Sequence, residues 1–318
     1  MTSGPRHQIT RPLAIACLAV AVAGCDLIPP PDAAPSQRPA PRIEAPRPEP
    51  SAQSRALAAR FLQLQQNLLA RGLLRTDGGG PDTPFGAREL TENFVRVALY
   101  DEYVFEAGRL VARQTPAPLR RWDGPVRIGL EFGTSVSAAQ RSRDRATVTT
   151  LAARLQRLTG RQVSLVDQGA NYWVHVVSED ERADLVPQWV ARFQGLSAAD
   201  FQPAAQMDPS TLCLVMALSS NTDAAYGGAL AVIRAELPDL LRTSCLHEEI
   251  VQGFGLANDH PRVRPSIFND DEEFATLTTH DEMLLRILYD RRLQPGMLES
   301  QVRPILPAIL AGLIAPES

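Results

Sequence analysis

The sequence predicts a mixed α+β domain behind an export signal and a tether. Three observations carry this. Short apolar runs bounded by glycine or polar turns recur in the middle of the chain and read as strands. Longer segments around them space their apolar residues at helical intervals. The 318 residues are 44% hydrophobic and 21% charged, enough for a real core, and this composition excludes a disordered chain, a coiled coil and a polytopic membrane protein. A formal charge of −4 argues against a nucleic-acid-binding stripe. All 32 cationic side chains are arginine, so a single arginine says little about function.

Residues 1–24 read as a signal peptide. Arg6 and Arg11 precede an apolar run from Leu13 to Ala23, too short for a bilayer that needs about 20 helical residues. The run ends Val22-Ala23-Gly24-Cys25, which resembles the bacterial lipoprotein signal, where small residues precede a cysteine that is lipidated and becomes the mature N-terminus. Residues 25–50 read as an extended tether, with nine prolines between Ile28 and Pro50. The expected location is the cell envelope, facing the periplasm, with the lipid on Cys25 as the membrane contact. Cys17 lies in the signal, which leaves Cys213 and Cys245. Two thiols in an oxidising compartment predict one disulfide, with buried free thiols as the alternative.

The folded part starts at residue 51. Residues 51–89 are expected to hold a helix, Ser51–Gly72, and a Gly/Pro-rich break at Asp77–Pro84. Leu90–Tyr103 reads as a second helix. Val126–Phe132 is a strand, and Ala138–Leu158 is a helix that stops at Gly160. Val163–Asp167 and Tyr172–Val177 read as adjacent strands around the turn Gln168-Gly169-Ala170-Asn171. Two more strands, Leu212–Leu218 and Gly228–Ile233, lead to a helix from about Pro238 to Gly253. A last clear helix, Asp281–Tyr289, opens with Thr279 and Glu282 at capping-box spacing, and residues 298–318 form an irregular tail.

Chemistry concentrates between His247 and Asp281. His247-Glu248 invites a zinc-peptidase reading, in which histidines at i and i+4 hold the metal and the glutamate between them is the base. In that register the second ligand position falls on Val251 and the idea fails. One residue later the fit improves. Glu248 and Gln252 take the two ligand positions, Glu249 the base position and Gly255 the turn; Asn258, followed by Asp259, takes the third ligand place. Ser266-Ile267-Phe268 matches the tight Met-turn, with Phe268 in place of methionine, and Leu277-Thr278-Thr279-His280-Asp281 through Leu288-Tyr289 matches a closing helix.

This resembles the metzincin signature with every zinc ligand replaced. The stretch is similar to an uncharacterised domain-of-unknown-function family of bacterial proteins placed among the zincin-like peptidases. The resemblance covers residues 90–297. It implies a zincin-like domain with a mixed β-sheet, a backing helix, a motif helix and a small C-terminal helical part.

The departures shape the expected function. Zinc lowers the pKa of bound water from 15.7 to about 7, and Glu249 alone cannot replace that. Glutamine and asparagine are weak neutral ligands for a metal normally held by imidazole or thiolate. The expectation is therefore a catalytically inactive domain without a metal cofactor. A zincin-like cleft binds an extended chain by strand addition, so the expected partner is a peptide, a peptidoglycan stem or an envelope protein, with no nucleic acid. One alternative is an atypical metallohydrolase with Glu249 as general base and calcium or another hard cation. Its oxygens would come from Glu248, Glu249, Asn258, Asp259 and the run Asn269-Asp270-Asp271-Glu272-Glu273. The other is a structural envelope protein, in which Glu248 and Gln252 hydrogen-bond along an exposed helix face and Gly253 and Gly255 end the helix.

Overall fold

The computed structural model describes residues 47–106, 109–219, 224–269 and 271–314, with the backbone alone at 103–106 and 109–112. Cys25 and the tether up to residue 46 lie outside the described residues. Helix α1 (Ala52–Ala70) is capped by Ser51, whose Oγ accepts from the Ser54 N–H, and it buries Leu57, Phe61 and Leu68. Helix α2 (Ala87–Ala98) follows. The helix expected to reach Tyr103 ends five residues earlier. From Tyr100 the chain turns into an antiparallel hairpin, β1 (Tyr100–Glu106) and β2 (Arg109–Pro116).

The central sheet begins with β3 (Val126–Phe132), and α3 (Ala138–Thr159) packs against it, ending at Gly160 in the left-handed conformation. Strands β4 (Val163–Leu165) and β5 (Tyr172–Val177) come next. They do not pair with each other, as their adjacency in sequence suggested. Both lie parallel to β3, one on each side. Short helices α4 (Glu179–Arg182), α5 (Val186–Arg192) and α6 (Gln202–Ala205) lead to β6 (Cys213–Ser219) and β7 (Tyr226–Arg234). The strand order is β4-β3-β5-β7-β6, all parallel except β6, which runs antiparallel to β7 at one edge.

Strand β5 is covered on both faces and reads as a near-continuous apolar run, whereas β3 alternates buried Val126, Ile128 and Leu130 with exposed Arg127 and half-buried Glu131. Alternate residues go to opposite sides. Tyr172, Val174 and Val176 with Ala229, Ala231 and Ile233 face the main core beneath α3 and α7 (Asp239–Gln252). Leu230 and Val232 face a second cluster built on Trp189, Phe193 and Phe201. Helix α8 (Thr279–Leu288) is capped by Thr278 with Asp281 as the reciprocal partner, one residue ahead of the expected Thr279–Glu282 pair. The tail is not irregular: α9 (Glu299–Val302) and α10 (Leu306–Ile314) send Val302, Leu306, Ile309 and Leu310 into the main core. The chain is thus an α+β protein with a mixed sheet and C-terminal helices. No helix among the described residues is long and apolar enough to cross a membrane.

Candidate functional site

Helix α7 is locked in place from three directions. Tyr172 Oη donates to the carbonyl of Glu249 at 2.6 Å, and Trp122 Nε1 donates to the carbonyl of Gly253 at 2.8 Å. The third tie is covalent: Cys213 and Cys245 form a disulfide with Cα atoms 5.9 Å apart, joining β6 to α7. Gly253 is not a left-handed residue, since its φ is −66°. It is needed because a Cβ there would lie 2.1 Å from Tyr172 Oη. Gly255 does carry a positive φ, +119°, and its Cβ would strike the Arg120 carbonyl.

Between β6, the last turns of α7, the loop beyond it and the start of β1 lies a cavity of about 700 Å³. Residues Leu212–Leu218 form one wall, so the sheet edge itself faces the space. Opposite stand Glu248, Glu249 and Gln252, joined by Asp259, Glu272 and Glu102. At one rim Arg120 pairs with Asp101 at 2.6 and 3.1 Å, which leaves the floor strongly acidic. Burial pushes the Glu248 carboxyl well above the usual carboxylate range, and Asp259, Glu249, Glu272 and Glu102 push it further. Glu249 is raised for the same reasons, burial first, then Asp259 and Glu102. Oxygens of Glu248 and Glu249 and the Cys213 sulfur lie within 4.8 Å of one another.

The structure brings together Glu248, Glu249, Gln252 and Asp259. Gln252, 6% exposed, donates from Nε2 to Asp259 Oδ1 at 2.9 Å. Neither it nor Glu249, 5% exposed, sits on an open helix face. Asn258 does not join them. It is fully buried, donates from Nδ2 to the Arg96 carbonyl at 2.7 Å, and does not line the cavity. Asp259 takes the place expected for it, because the loop leaving Gly255 turns the 258 side chain towards the end of α2. Phe268 is buried in the main core below the cavity-lining Ile267. Its turn is held by Asp281, which accepts from Ile267 N at 3.1 Å and from Thr278 Oγ1 at 2.8 Å, while Phe268 N donates to Ser266 Oγ at 3.0 Å.

Most of the acidic run is engaged elsewhere. Asn269 donates to the Val263 carbonyl at 3.0 Å and accepts from Asp271 N at 2.9 Å, Glu273 pairs with Arg264, and Asp270 lies outside the described residues. His247 accepts from Leu277 N at 3.2 Å. Zinc does not fit the residues present: the cluster offers carboxylates and one amide, and the nearby sulfur is committed to the disulfide. Glu102 was missed in the sequence because it fell inside a misread helix. The strand signal was the aromatic and β-branched run Tyr103-Val104-Phe105 that follows it.

Fold and site together define an α+β domain with an acidic cleft bounded by a sheet edge. The profile of DUF2927, described as a protein family of unknown function, matches residues 87–308, and the chain belongs to that family. The match takes in the hairpin, the cleft and most of the C-terminal helices. No curated protein and no solved structure matches the chain.

Proposed function

We propose that this is a lipid-anchored envelope protein whose cleft binds an extended peptide by strand addition to β6, without zinc catalysis. One observation carries the reading: the edge strand lines the cavity along its length. Its sequence, Cys213-Leu-Val-Met-Ala-Leu-Ser219, has no charge, proline or inward lysine to discourage pairing. Such an edge is an aggregation hazard unless something pairs with it. The acidic floor favours a segment carrying an amine, as a peptidoglycan stem or a basic peptide would. A degenerate zincin-like domain is supported by the chain order of strand, helix, two strands, a short helical stretch and two strands ahead of the motif helix.

Adjacent positions of an antiparallel edge strand direct their N–H groups alternately to the partner and outward. Of Val215→Pro and Met216→Pro, one therefore removes an outward donor and leaves the β7 ladder intact. Fluorescence polarisation with stem peptides and an arginine-bearing hexapeptide should show binding to the native protein and its loss in that folded variant. Binding unchanged in both variants, or no binding of either peptide, overturns the reading. Cys25→Ser should move the protein from the membrane to the soluble fraction or leave it unprocessed; identical fractionation removes the anchor.

A further inference from the structure

We propose, on the premise of strand addition, that the guest on β6 alternates cationic and apolar side chains, which makes it a protein segment rather than a peptidoglycan stem. Hydrogen bonding fixes which residues of β6 offer their main chain. Arg234 N–H donates to the Leu212 carbonyl at 3.4 Å, whereas Ala229 and Ala235 donate away from β6, to the carbonyls of Asn171 and Val177. Leu212 therefore turns its main chain towards β7. So do Leu214, Met216 and Leu218, which stand opposite Val232, Leu230 and Gly228. Cys213, Val215 and Ala217 turn theirs outward, to the guest.

Side chains leave the strand at right angles to these bonds and alternate between its faces. Val215 and Ala217 lie on the face of the main core, where the disulfide ties Cys213 to α7. Leu214, Met216 and Leu218 lie on the other face, packed with Leu196 against the cluster of Trp189, Phe193 and Phe201. The cavity reaches round both. Glu248, Glu249 and Gln252 of α7 line it on the first side, and Leu196 and Pro203 line it on the second. Asp200, at the rim of the apolar wall, is occupied by Ser197, whose N–H and hydroxyl donate to it at 2.8 and 2.7 Å.

Residues opposite one another in a strand pair share a face, with Cβ atoms about 4.5–5.5 Å apart. A guest residue beside Val215 therefore points to the carboxyl groups of α7, and its neighbours, beside Leu214 and Met216, point to the apolar wall. A cation in the first position relieves the repulsion that Asp259 and Glu102 impose on Glu248 and Glu249. A peptidoglycan stem carries carboxylates of its own and mixes D- with L-residues, so it keeps neither the charge nor the alternation.

The test uses the full-length protein in detergent and fluorescence polarisation with four labelled probes. These are a hexapeptide alternating arginine and valine, its isomer with the arginines in one block, a hexapeptide alternating glutamate and valine, and a stem peptide. The first should bind more than about tenfold tighter than each of the others, because several cross-strand pairs are misplaced at once in the rest. Glu248→Gln with Glu249→Gln should abolish the preference for arginine over glutamate and leave the block isomer weak. Circular dichroism verifies the fold, and the native series decides if the variant does not fold. Equal affinity for the alternating peptide and its isomer overturns the alternation, as does tighter binding of the glutamate peptide or the stem, or a folded variant that keeps the arginine preference. In those outcomes strand addition survives; binding of none of the four probes defeats both.

Discussion

Tyr172 on the central strand β5 and Glu249 on helix α7 are joined by a buried hydrogen bond of 2.6 Å, from the phenol to the main-chain carbonyl. The glutamate is thereby held by its backbone, and its side chain is left to face the cleft. Tyr172→Phe should cost about 0.5–1.5 kcal/mol, the net worth of one hydrogen bond, because the Glu249 carbonyl still accepts from the Gly253 N–H. Gly253→Ala should cost more, because its Cβ lands on the same phenol. Urea denaturation of the two single variants and the double should show coupling. Strict additivity would mean that the phenol does not set the helix position.

The disulfide closes a loop with a sequence separation of 32. Chain-entropy arguments give it a contribution of roughly 3–4 kcal/mol. Cys213→Ala with Cys245→Ala should lower the denaturation midpoint accordingly, and thiol titration of unreduced, denatured protein carrying Cys17→Ser and Cys25→Ser should read near zero. Two reactive thiols would contradict the bond.

His175 is buried, accepts from Arg192 at 3.1 Å and stands 3.9 Å from Glu131. Burial pulls it from 6.5 down to about 4; Glu131 opposes that pull and Arg192 adds to it. The folded state therefore keeps this ring neutral where the unfolded chain takes up a proton. Its contribution is fully present above pH 6.5 and is lost as the pH falls towards 4, at most about 3 kcal/mol. His175→Gln keeps an acceptor for Arg192 and removes the titration. The stability gap between native and variant should narrow over that range, and a constant gap would refute the assignment.

The loop beyond Gly255 makes a sharp distinction between neighbours. Glu248→His, Gln252→His and Asp259→His together should create a zinc site, measurable by calorimetry. The same triple with Asn258→His in place of Asp259→His should not, because position 258 points to the Arg96 carbonyl. Equal zinc affinity in the two folded triples would reject the geometry.

Legibility in the sequence followed the range of the interactions. The strands of the central sheet were readable because their patterns are local: Val126–Phe132 alternates apolar and polar residues, and Tyr172–Val177 is apolar nearly throughout because both its faces are covered. Which strands pair is decided at long range, and so β4 and β5 were wrongly placed side by side. Helix α10 was missed because Leu306-Pro-Ala-Ile-Leu-Ala-Gly-Leu-Ile314 is apolar nearly throughout and shows no stripe. Thr278 and Thr279 each have an acid three residues on; tertiary contacts of Asp281 with Ser266 and Ile267 choose the first. Glu248, Glu249, Gln252 and Asp259 were visible as a motif. The turning away of Asn258 was not, because it depends on a carbonyl in a distant helix.

The bond between Cys213 and Cys245 also has a thermodynamic consequence for whatever enters the cleft. It staples the sheet edge to the helix opposite, so the slot has a set width before any occupant arrives. Ordering a flexible chain costs about 1–2 kcal/mol per residue in backbone entropy, and here that cost falls on the guest alone. Short, stiff or already extended guests should therefore outcompete long, mobile ones of equal chemistry.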